Sequence, residues 1–158
     1  DPFVDEAAHN VTDEKSDDSI TAMVDGGVLH GPTLAVWESR SWICTDFGMC
    51  EEGANLGRFV EGGGRVALGD DYGNPGILLG MPIRDMELML AAGMTSMEII
   101  VAATSEGAFA CGLQDDLGAV EAGRLADLIV LEGDPLADIT AMADVAYVIR
   151  DGMIIRSP

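Results

Sequence analysis

The feature that most constrains this chain is a change of pattern near residue 113. Before it, short apolar segments alternate with amphipathic ones, punctuated by glycine. After it, strand-like segments follow one another with tight turns between them. Alternating strands and helices imply parallel pairing through crossover helices, whereas strands joined by short turns imply antiparallel pairing. The expected fold is therefore α/β, with strand–helix units followed by a small β-unit.

Residues 3–8 read as the end of a strand that stops at His9. Residues 17–24 read as a helix with Ile20, Met23 and Val24 on one face, halted by Gly26-Gly27. Strand character returns over residues 28–36, where Pro32 must end or bend the strand. A long connection over residues 37–52 holds Trp37, Trp42 and Phe47, and such loops are more often functional than idle. A weaker helix at 55–61 runs into Gly62-Gly63-Gly64, and residues 65–68 then form a buried type of strand ending in Gly69-Asp70-Asp71.

A glycine-rich and proline-containing loop covers residues 72–82, and a helix follows at 83–92 with Ile83, Met86, Met89 and Leu90 facing inward. Thr95-Ser96-Met97-Glu98 has the form of a capping box, in which each end satisfies an orphan backbone donor of the other. Its helix is expected to bury Met97, Ile100, Val101, Thr104 and Ala108 and to stop at Gly112. The tail carries strands at 127–131, 145–149 and 153–156, the last two joined by Asp151-Gly152, a strong hairpin signal. Three strand–helix units do not make a closed barrel, which needs eight, so taken alone they read as an open fragment.

Charge excludes several classes of partner. Among 158 residues, 28 Asp and Glu face 8 Lys and Arg, a net charge of −20, and Lys15 is the single lysine. Phosphates of nucleic acids and anionic membranes would be repelled. Scarce lysine with abundant aspartate suggests a high-salt cytoplasm, whose counterions screen the self-repulsion. No segment approaches the apolar run that a membrane span needs, and a cytoplasmic location is expected. The first residues, Asp1-Pro2-Phe3, carry no signal-type apolar segment and support no targeting argument. Cys44, Cys50 and Cys111 are an odd set, unlike a disulfide framework, and Cys44 and Cys50 fit no usual zinc-ligand spacing. Reduced thiols are expected.

Several stretches carry a family likeness. Leu117-Gly118-Ala119-Val120-Glu121-Ala122-Gly123-Arg124-Leu125-Ala126-Asp127-Leu128-Ile129-Val130-Leu131, followed by Gly133-Asp134-Pro135-Leu136, resembles the "G-x-I-x-x-G-x-x-A-D-L" signature and the "D-P-L" after it in the amidohydrolase superfamily. Val148-Ile149-Arg150-Asp151-Gly152 resembles its "V-x-x-G" ending, and Ala103-Thr104 with Gly112-Leu113 resembles its "A-T…G-L" helix. Pro32-Thr33-Leu34 resembles the "P-T-L" that closes the family's seventh barrel strand. The likeness is to the imidazolonepropionase-like and prolidase-like branch.

This resemblance implies the C-terminal part of a (β/α)8 barrel, strands six to eight, over residues 1–113. It further implies the C-terminal strands of a small β-sandwich over residues 114–158. Asp71 falls where the family has the aspartate that binds the metal and takes the proton from metal-bound water. His9 falls at a histidine metal ligand ending strand six. His30, two residues before Pro32, either lines the pocket or packs structurally, and Tyr72 is a candidate substrate contact. Asp70 departs from the family's usual small residue; it either supports Asp71 or is simply exposed. The implied cofactor is a divalent metal, Zn above others, as one or two ions. The implied substrate is a small amide, cyclic amide or dipeptide-like molecule.

The family's other ligands, a His-x-His pair, a carboxylated lysine or glutamate and a further histidine, have no counterpart among these residues. His9 and Asp71 alone fall short of the three protein ligands a catalytic zinc site needs. The partner implied is the N-terminal part of the barrel, with a homo-oligomer also possible. The competing reading is a non-catalytic structural or interaction module.

Overall fold

The computed structural model describes residues 6–8, 15–39 and 52–158. Its first sheet has the order β1-β2-β3, from β1 (Glu6–Ala8), β2 (Leu29–Gly31) and β3 (Arg65–Val66). All pairing in it is parallel, with Ala8 opposite Gly31 and His30 opposite Val66. The expected strand–crossover–strand order is thus observed.

Helix α1 (Asp17–Asp25) connects β1 to β2. Ser16 caps it, its side chain accepting from the Ser19 N–H at 3.2 Å, and Asp17 and Asp18 suit the positive end of the helix dipole. The chain leaves through Gly26 and then Gly27 at φ +67°. Strand β2 is shorter than the sequence suggests. It ends at Gly31 because Pro32 has no N–H to donate. Thr33 then turns into the left-handed region at φ 46°, and residues expected as strand form a short helix, α2 (Leu34–Glu38). Residues 40–51 and His9, with Trp42, Phe47, Cys44 and Cys50, lie outside the described residues.

Helix α3 (Glu52–Glu61) carries Leu56 and Phe59, both fully buried against the sheet. The glycines after it let the backbone fold back tightly: a Cβ on Gly64 would sit 2.4 Å from the Phe59 ring. Helix α4 (Ile83–Ala91) buries Met86 and Met89, with Ile83 and Leu90 packed half-buried on the same core, as its spacing predicts.

The next helix departs from expectation. It is two helices, α5 (Ser96–Ala103) and α6 (Ser105–Ala110), broken at Thr104, whose hydroxyl donates back to the Ile100 carbonyl at 2.7 Å. The buried face of the pair is Ile99, Ala102 and Ala108, while Met97 and Val101 are exposed. The capping box fixes the phase of α5 so that Ile99 meets Met86, Met89 and Val66 in the core.

In the tail, β4 (Leu128–Leu131), β5 (Val145–Arg150) and β6 (Met153–Arg156) form an antiparallel sheet in that order. Asp151 and Gly152 have φ 49° and 75°, as a tight hairpin requires. Asp127 clips the hairpin by accepting from the Asp151 N–H at 2.7 Å. A 3-10 turn, Ile139–Ala143, inserts Ile139 and Met142 into the helical core and so joins the two parts. Each such large apolar side chain contributes roughly 1.5–3 kcal/mol by leaving water.

Candidate active site

Parallel pairing brings the C-terminal ends of β1, β2 and β3 to one edge of the sheet. Two described segments leave that edge: the turn Pro32-Thr33-Leu34 after β2 and the run Gly69-Asp70-Asp71 beyond β3. They run close together: a Cβ added at Gly69 would come within 3.6 Å of Thr33 Cγ2. The path out of β3 is fixed by two backbone bonds, Ala67 N–H to the His30 carbonyl and Leu68 N–H to the Ala102 carbonyl, each 3.0 Å.

Asp70 and Asp71 are both partly buried at this edge. Asp70 folds its carboxylate onto the next backbone unit, accepting from the Asp71 N–H at 2.8 Å. Burial raises the Asp70 pKa and the charge of Asp71 adds to this, against the lowering effect of that hydrogen bond. The Asp71 carbonyl accepts from the Asn74 backbone at 3.3 Å and from Asn74 Nδ2 at 3.1 Å, which starts a tight turn. Tyr72 closes the same loop by donating its hydroxyl to the Gly80 carbonyl. The Tyr72 pKa is raised, by burial first and then by the charges of Asp70 and Asp85. At the crest of the loop, Leu78 and Leu79 are 85% and 86% exposed.

His30 points elsewhere. It is 2% exposed and stands edge-on to the Phe59 ring, centroids 5.5 Å apart, in the layer between sheet and helix α3. His9 lies outside the described residues, immediately after β1.

One residue of the neighbourhood escapes sequence reasoning. Asp85, in the first turn of α4, is 1% exposed, and its Oδ1 accepts from the Ala35 N–H at 3.1 Å. Burial pushes its pKa up to about 6, the Ala35 hydrogen bond opposes the shift, and the charges of Asp70 and Glu38 add to it. The available signal was an acid four residues before Met89, on the apolar side of a helix where a solvated acid would not be placed. Next to it, Arg84 holds Glu38 with bonds of 2.7 and 2.5 Å and Glu87 at 2.7 Å. The guanidinium keeps the Glu38 carboxyl below the usual carboxylate range.

Among the described residues, no group of three or more His, Cys, Asp or Glu is placed to hold a metal ion. A carboxylate such as that of Asp71 is an ordinary oxygen donor for a divalent ion. Also among the described residues, no helix is long and apolar enough to cross a membrane. A cavity of about 690 Å³ lies away from this edge, between α5, α6 and the tail sheet, lined by residues such as Ala108, Leu117, Ile129, Val148 and Ile155.

The sequence profile of the amidohydrolase family matches residues 7–155. No curated protein matches the chain. Among solved structures, a Xaa-Pro dipeptidase with methionine bound in its active site is similar at 26% identity and a TM-score of 0.86, covering 98% of this chain and 40% of its own. A molinate hydrolase is similar at 25% identity and a TM-score of 0.75, covering 96% of this chain and 38% of its own. A prolidase complexed with N-methylphosphonate-L-proline shares the fold at 24% identity and a TM-score of 0.72, covering 97% of this chain and 40% of its own. The chain thus spans about two fifths of the length of these structures.

Proposed function

The chain belongs to the amidohydrolase family, and from that premise we propose that it supplies the C-terminal part of a metal-dependent hydrolase of C–N bonds. The substrates in this reading are amides, cyclic amides or dipeptide-like molecules, in keeping with the Xaa-Pro dipeptidase and molinate hydrolase it resembles. Strands β1, β2 and β3 take the places of barrel strands six, seven and eight, so that residues 1–113 belong to the barrel. Residues 114–158 are the C-terminal strands of the accompanying β-sandwich.

The observation that carries the reading is the position of Asp71. It lies beyond the C-terminal end of a strand in an all-parallel sheet, on the edge where barrel enzymes gather their chemistry. Asp71 is one metal ligand and the general base; His9, the residue that follows β1 in the sequence, is a second ligand. The remaining donors come from outside the described residues. When bound, a divalent metal would polarise the scissile carbonyl and make water acidic enough to attack near neutral pH. Asp71 then accepts the proton of the attacking water and passes it to the departing nitrogen, which leaves as a neutral amine. Tyr72 and the loop it closes face the substrate, and His30 braces the edge from behind through Phe59.

Two measurements test this. In the intact polypeptide, with metal quantified, Asp71→Asn should lower kcat on a dipeptide and lactam panel by roughly 10²–10⁴-fold, the worth of a positioned general base. Unchanged turnover would end the proposal. The 158-residue chain alone should show no turnover with any divalent metal, and activity there would show that its own residues complete the site. A non-catalytic interaction module is the second reading, favoured by the missing three-donor group among the described residues. It is distinguished by an intact polypeptide that binds no metal.

A further inference from the structure

We infer that Asp85 is a positioning residue: its buried carboxylate grips the turn in which β2 ends and α2 begins, and through that turn sets the place of Asp71. The inference rests on the role proposed for Asp71. Two contacts and two close approaches carry it. Asp85 Oδ1 accepts from the Ala35 N–H at 3.1 Å and so fixes the first turn of α2 from outside that helix. The preceding residue, Arg84, takes the other end of α2 by pairing with Glu38 at 2.5 and 2.7 Å. Consecutive residues of α4 therefore hold α2 at both ends.

The held element in turn abuts the Asp71 segment twice. Thr33 Cγ2 lies 3.6 Å from where a Cβ on Gly69 would be, and Ser39 Cβ lies 3.4 Å from the same point on Gly76. Gly69 is two residues before Asp71, and Gly76 sits in the loop that Asp71 opens. Thr33 is in the left-handed region at φ 46°, a conformation that a β-branched residue keeps only under constraint from its surroundings. Asp85 is part of that constraint.

The chemistry of the grip is that of an acceptor, not of a charge. Among the described residues Asp85 Oδ2 meets no side-chain donor, the Leu34 and Ala35 backbones being the donors that bear on the carboxyl, and Arg84, the neighbouring cation, is turned to Glu38 and Glu87. The acidic groups that bear on it are Asp70 and Glu38. An amide in place of the carboxylate keeps Oδ1 as acceptor and removes an unfavourable buried charge. A glutamate keeps the charge and moves the acceptor by a methylene.

The two substitutions therefore separate positioning from charge. In the intact polypeptide, Asp85→Asn should keep kcat within about threefold, whereas Asp85→Glu should lose at least about tenfold in kcat with KM little changed, as expected for a misplaced reacting group. Amide hydrogen exchange of the 158-residue chain gives a readout independent of turnover: the Ala35 N–H should stay protected in Asp85→Asn and exchange at least about tenfold faster in Asp85→Glu. The inference is overturned if Asp85→Asn loses kcat while Ala35 stays protected, because the charge then acts on the chemistry itself. It is equally overturned if Asp85→Glu keeps full kcat with Ala35 unprotected, or if Ala35 exchanges freely in the unaltered chain. If Asp85→Glu does not fold, the Asp85→Asn arm still decides between these outcomes. Full activity of Asp71→Asn would instead remove the proposed function, leaving the exchange result to judge the grip of Asp85 on the turn.

Discussion

Asp85 gives the chain a pH dependence of unusual sign for a carboxylate. Most paired acids have depressed pKa values and lose their stabilising effect as pH falls. Here burial lifts the pKa of Asp85 to about 6, with Asp70 across from it on the loop after β3 and Glu38 on α2 adding to the rise. The folded state then holds a proton that the unfolded state, with a carboxyl near 3.9, has already released. Stability should therefore fall as pH rises from about 4 to about 6, and level off above. The change is on the order of 3 kcal/mol at most. Urea melts across that range read it directly, and Asp85→Asn should flatten the profile. At this scale the sequence was only partly legible. Asp71 was singled out by the family resemblance at Gly69-Asp70-Asp71; the residues by themselves show only two acids after a strand. Asp85 did not stand out, because an acid in the first turn of a helix is adequately explained by the dipole alone. Only the tertiary contact with Ala35 shows that this acid points inward.

Elements show where local rules suffice and where they fail. The capping box on α5 is complete, with Glu98 accepting from the Thr95 N–H at 2.7 Å and Thr95 accepting from the Glu98 N–H at 3.3 Å. These bonds hold the Glu98 carboxyl below its usual range. Thr95→Ala should cost about 1 kcal/mol, visible as a lower urea midpoint with unchanged slope. That box, α1 with its Gly26-Gly27 stop and the Asp151-Gly152 hairpin were readable because each is specified by residues within a few positions of one another. Helix α2 and the break at Thr104 were not. A five-residue helix has too few turns to show a period. The break redirects α6 so that Glu106 reaches Arg65 at 2.6 Å and Phe109 lies under the same guanidinium at 4.1 Å, partners some forty residues distant in sequence. Met97 and Val101, expected in the core, instead line a groove with Val60 and Arg65 on the outer side of α5.

For the whole molecule, charge dominates. A net charge of −20 on 158 residues works against any compact state, and salt relieves it by screening. Melting temperature should rise with KCl from 0.1 M toward molar concentrations (~10 Å to ~3 Å in screening length), and full stability without added salt would count against a high-salt habitat. The change from parallel to antiparallel pairing was legible because strand–helix alternation gives way to strands joined by tight turns. The way the parts join was not, since Ile139 and Met142 reach the helical core from a short turn with no strong pattern. The apolar cavity beside the tail sheet and the exposed Ile129, Val130, Ile154 and Ile155 mark where that sheet has apolar surface left over.

In the first sheet, β2 is bonded along both flanks while β1 and β3 each offer a bare backbone rim among the described residues. Such a sheet is a ready template. A strand-forming peptide added to the chain should lodge against either rim, and slower amide exchange in β1 or β3 on mixing would reveal it.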